Sequence, residues 1–196
     1  MGKVKSALEI ALEKAGRIGG LSQEEKNRIE DEKRVVSVLG EFYRGRLDSN
    51  GLWLRLKGSK PFLLTMAQLN LIETLALANL EEEFLQKKQA IVAIETLKDR
   101  PNTAVVELSL NSAAALQKEY SAMKEKVVED LRKQVEMHPR LRMQPVKMPD
   151  GKTAMQMALS VDEAVKTRLA ESLSEHEKEY SREFFSLIEE LKMQIH

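Results

Sequence analysis

Cysteine is missing altogether from the 196 residues. That removes disulfides, thiolate nucleophiles and zinc sites built on sulfur, and it is compatible with a reducing compartment. Aromatic residues are scarce at 5%, so the core has to be built from aliphatic and methionine side chains. Neither charge is in surplus: 31 Lys and Arg balance 31 Asp and Glu. A general nucleic-acid binder needs extra cations to release counterions from phosphate, so this balance argues against that class and leaves room only for a local patch. No stretch approaches the roughly eighteen uncharged apolar residues of a membrane span. The basic start at Lys3 and Lys5 is followed by Glu9 and Glu13, which interrupt the apolar run of a secretory signal. The expected location is therefore the cytoplasm.

What is present is a helical pattern. Leu, Ile and Val recur three and four residues apart over most of the chain. The expected fold class is α+β, predominantly α: long amphipathic helices with a small antiparallel sheet that includes a hairpin near 141–159. Residues 1–20 read as a short N-terminal helix, with Val4, Leu8, Leu12 and Ala15 in one stripe, and a linker rich in glycine. Residues 21–196 read as a helical domain carrying the small β element.

Ser22 and Glu25 form a capping box, with Leu21 in the staple position before it. The helix they open runs through Ile29, Val36, Leu39, Tyr43 and Leu47 to a stop at Asp48–Gly51. It encloses Gly40 and Gly45, where a close helix crossing is expected. Leu52 to Lys57 alternates around Trp53 and reads as a strand near 52–57. Pro61 opens one helix to about Lys98, roughly 50 Å long, which has to kink or find a partner. Val106, Leu108 and Leu110 alternate with Glu107 and Ser109, favouring a strand near 104–110 over a helix. A further helix follows through Leu116, Tyr120, Val127, Leu131 and Val135 to His138-Pro139.

Strands near 141–148 and 153–159 flank the turn Pro149-Asp150-Gly151, with Pro145 confining the first to an edge or a bulge. Met155, Met157 and Leu159 share one face of the second strand. Burial under helices is the simpler expectation for that face, and an exposed methionine-lined groove is the alternative. Ser160 and Glu163 form a second capping box for the last helix, with Val165, Leu169, Leu173, Phe184, Ile188 and Leu191 along one side.

Linear signs of chemistry are missing. His138, His176 and His196 lie far apart, no G-x-S-x-G elbow occurs, and Leu173 stands where a Glu-x-x-His metal motif needs its glutamate. The glycine clusters lack the Gly-Lys-Ser/Thr of a phosphate loop. No catalytic, cofactor or metal residue is assigned. The candidate contact residues are basic: Arg132, Lys133, Arg140, Arg142, Lys147 and Lys152 around the hairpin, opposed only by Glu136 and Asp150. Trp53, Arg55 and Lys57 on the earlier strand are expected to extend that surface. The function expected is a non-catalytic scaffold, adaptor or assembly subunit acting through helix–helix surfaces, as a homodimer or with a protein partner. The alternatives are nucleic-acid or ribonucleoprotein binding through 132–152, and an enzyme without a linear motif.

Overall fold

A computed structural model describes residues 22–147, 149 and 153–195. The helix and glycine linker expected over 1–20 lie outside these residues, as do Asp150, Gly151 and Lys152 of the hairpin turn. Ser22 opens the first helix, α1 (Gln23–Tyr43), as its spacing to Glu25 predicts: the Glu25 N–H donates to Ser22 Oγ at 3.2 Å, and the Ser22 N–H donates to the Glu25 carboxylate at 2.7 Å. The helix stops short of Leu47. Gly45 takes a φ of +69°, its N–H donates to the Phe42 carbonyl, and the Arg46 N–H reaches back to Glu41, the double closure of a Schellman cap. No close crossing occupies Gly40, where an added Cβ would meet only the Arg44 side chain, at 3.5 Å.

Asp48, expected to end a helix, begins one. Its carboxylate accepts the Gly51 N–H at 2.7 Å and caps α2 (Ser49–Leu56). The strand expected near 52–57 is thus helical. Leu52 and Leu56, one turn apart, are buried, and Leu54 between them points to solvent. The single helix expected over 61–98 is two, α3 (Pro61–Glu73) and α4 (Glu81–Glu95). Tertiary contacts hold the break between them. Buried Lys87 donates to the Thr74 carbonyl at 2.8 Å, and Gln117 donates to the Asn79 carbonyl at 2.6 Å. The strand expected near 104–110 is the start of α5 (Thr103–Met137), with Val106 and Leu110 buried one turn apart.

A 3₁₀ turn (Pro139–Arg142) leads from α5 into β1 (Met143–Lys147), which pairs antiparallel with β2 (Thr153–Met157) before α6 (Val161–Ile195). The hairpin expected near 141–159 is present, shorter at both ends. The small sheet is these two strands alone among the described residues.

The long helices α5 and α6 run antiparallel. Ser109 bonds to Gln194 at one end, the Tyr120 and Tyr180 rings sit 5.5 Å apart in the middle, and Arg132 pairs with Asp162 at the other end. Each has 35 residues and so spans about 52 Å at 1.5 Å per residue. One half of the pair is embedded in a head. There α1 to α4 surround Val106, Leu110, Ala113 and Leu116 of α5 and Phe184, Ile188, Leu191 and Ile195 of α6. The other half leaves the head as an arm of roughly 25 Å. Its core is small: Leu131, Val135, Ala164 and Val165, with Val127, Leu141, Leu159 and Leu169 packed against them. The hairpin sits at the tip. No helix among the described residues is long and apolar enough to cross a membrane.

Candidate interaction site at the arm tip

The hairpin register decides which side chains meet. Met143 pairs with Met157, Pro145 with Met155 and Lys147 with Thr153. Paired residues project to the same side, so Met143, Pro145, Met155 and Met157 make one apolar face, with Lys147 and Thr153 at its turn end. Helices do not cover it, contrary to the simpler expectation. Met155 and Met157 are 57% and 50% exposed, and every residue of β2 is open to solvent.

Leu159 leaves that face for a local reason. The N–H groups of Ala158 and Leu159 both donate to the Arg142 carbonyl, at 3.1 and 3.2 Å, so two residues stand opposite one. This is the arrangement of a β-bulge. It turns Leu159 into the core of the arm. Arg142 also donates through Nε to the Leu159 carbonyl at 2.9 Å. Its guanidinium therefore stitches the base of the hairpin to the start of α6.

The basic residues are used unevenly. Arg132 is paired with Asp162, and Lys133 with Glu129 at 2.6 Å. The hydrogen bond within the second pair holds the Glu129 carboxyl below, and the Lys133 ammonium above, their ordinary values. Arg140 and Lys147 are exposed near the tip, and Lys152 lies outside the described residues. Trp53, Arg55 and Lys57 do not extend this surface. Trp53 and Arg55 belong to α2 and Lys57 caps its end; α2 packs on α1 and α4 in the head, whereas the hairpin packs on the 3₁₀ turn. Trp53 donates to Thr96 Oγ1 at 3.0 Å, Lys57 lies over the indole at 5.1 Å, and Arg55 faces Glu41 at 3.8 Å.

Sequence reasoning missed Asp162, which engages Arg132. Its only signal is its place in the first turn of α6, where an acidic side chain also suits the helix dipole. In the head, a cavity of about 270 Å³ lies between α4 and α5, floored by Phe84, Leu85, Ala114 and Ala115. Gln117 and Lys88 at its rim donate to Asn79 and Asn111, bonds that hold α4 and the loop before it to α5. No group of three or more His, Asp or Glu side chains suited to a metal ion gathers among the described residues. Compared with protein-family models, curated proteins and solved structures, the chain matches none.

Proposed function

We propose that this chain is a non-catalytic interaction protein, an adaptor or assembly subunit, whose contact with another polypeptide is made at the tip of the arm. One observation carries the reading: the face of half-buried Met143 with exposed Pro145, Met155 and Met157 lies at the end of a two-helix projection. Methionine is flexible and polarizable, and such faces adapt to polypeptides of varied shape. An isolated two-stranded hairpin is marginal in water, so a chain gains little from displaying one unless it meets something. The proposal moves the expected contact away from helix–helix surfaces. With 61–98 divided into two packed helices, the expected reason for a helical mate is gone.

The nucleic-acid alternative is the weaker one, because Arg132 and Lys133 are already paired within the arm and Arg142 is bound to backbone. A phosphate would have to displace those contacts.

The test is a photo-activated cross-linker placed at Met157, compared with one at exposed Leu54 in the head. The tip position should join to polypeptide, either a second copy or an added unfolded apolar chain, and the head position should not. Equal yields at the two positions, or none at either, would defeat the proposal.

A further inference from the structure

Backbone polarity along the hairpin singles out one edge. The Ala158 N–H points into the ladder, donating to the Arg142 carbonyl. Alternation then turns the backbone groups of Gln144, Val146, Ala154 and Gln156 inward and those of Met143, Pro145, Lys147, Thr153, Met155 and Met157 outward. The outer edge of β1 is blunted twice. Proline at 145 has no N–H to offer there, and Lys147 puts a charge beside it, both devices that discourage strand addition. The outer edge of β2 carries neither. Its sequence Thr153-Ala154-Met155-Gln156-Met157 has no charge and no proline, and all five residues are exposed.

We infer that the occupant of this edge is the β2 strand of a second copy, paired antiparallel about a two-fold axis through Met155. This names the partner of the tip and rests on the reading proposed above. The geometry is self-consistent. Antiparallel pairing sets Met155 opposite its own mate and Thr153 opposite Met157 of the other copy, and each exchanges outward N–H and carbonyl groups. The central row of the resulting four-stranded sheet is Pro145, Met155, and the second copy's Met155 and Pro145, so the two methionine faces become one. The lysines at 147 fall at opposite corners. An uncharged strand meets its own copy without like-charge repulsion, and a four-stranded sheet removes the weakness of a lone hairpin.

The experiment is sedimentation velocity over a wide dilution range. The wild type is expected at twice the 22.3 kDa chain mass, dissociating on dilution. Met155→Pro deletes an outward N–H without touching the ladder inside the hairpin, and is expected to sediment as a monomer with unchanged helical circular dichroism. Met155→Lys and Met155→Glu are each expected to be monomers, and mixing them should restore a dimer. That rescue decides the matter even if the proline variant misfolds. A wild type that stays monomeric overturns the self-pairing, while a cross-link from Met157 to an added apolar chain would leave the broader reading standing. A wild-type dimer that all three substitutions leave intact overturns the assignment of the edge.

Discussion

Gln68 donates its side-chain amide to Glu95 at 2.8 Å inside the head, where both side chains are all but sealed from solvent. The same carboxylate accepts the Asn102 N–H at 2.9 Å and pairs with Lys98 at 2.9 Å, and Lys98 in turn donates to the Ile195 carbonyl. One buried charge thereby joins α3, α4, the start of α5 and the end of α6. Replacing Glu95 by Gln keeps the shape but turns an NH₂ toward donors that need an acceptor. The cost should be about 2–3 kcal/mol, the usual scale for hydrogen bonds to a buried charged group. Urea unfolding at neutral pH measures it, and a loss within error of zero would mean the network contributes nothing net.

The same carboxylate sets a pH dependence with a definite sign. Burial pushes the Glu95 carboxyl up, but the Asn102 N–H, the Gln68 amide and Lys98 outweigh it and hold the group below its ordinary value of 4.5. A carboxyl lowered by folding contributes stability that is fully present above its unfolded value. That contribution fades as pH falls below about 4.5 and through the folded value. The gap in unfolding midpoint between wild type and Glu95→Gln should therefore be widest near neutrality and narrow in acid. A gap of constant size down to acid unfolding would mean that Glu95 is not the group being titrated.

Both capping boxes and the hairpin were legible because their signals are local. Ser22 with Glu25, and Ser160 with Glu163, each need only four consecutive residues, and both pairs form the reciprocal bonds expected. The two false strands share one cause. Leu54 is 60% exposed and Leu108 67% exposed, each halfway between a buried pair at i and i+4. An exposed leucine placed there turns the helical pattern Leu52, Leu56 or Val106, Leu110 into an apparent alternation. The break at 74–80 was hidden differently. Leu75, Ala76, Leu77 and Ala78 are ordinary helix residues. The chain turns there because Lys87 and Gln117, distant in sequence, cap its carbonyls. The pairing of Arg132 with Asp162 was hidden for the same kind of reason, since it is made across two helices.

The arm should be the less stable part of the molecule. Val135 is fully buried in a cluster that has few other members, while the head core gathers side chains from each of α1 to α6. Val135→Ala removes two methyl groups from it. At about 0.8 kcal/mol each plus a cavity term, this should cost about 2 kcal/mol. In hydrogen exchange, the amides of α5 beyond Ser121 and of the first turns of α6 should lose protection, while those of α1, α3 and α4 keep theirs. Equal loss throughout would show that arm and head open as one unit.

The single tryptophan makes the same division visible without mutation. Trp53 is tied to Thr96 within the head, so its fluorescence reports the unfolding of α2 against α4 and little else. Circular dichroism counts every helical residue, including the distal halves of α5 and α6 that form the arm. If the arm melts first, the dichroism signal in urea should begin to fall while the fluorescence still reports a folded head, and the two curves will not coincide. Val135→Ala should widen that separation by moving only the earlier part of the dichroism curve. Superimposable curves for wild type and variant would mean that the long helices transmit stability from head to tip, and the tip hairpin would then be presented on a rigid arm.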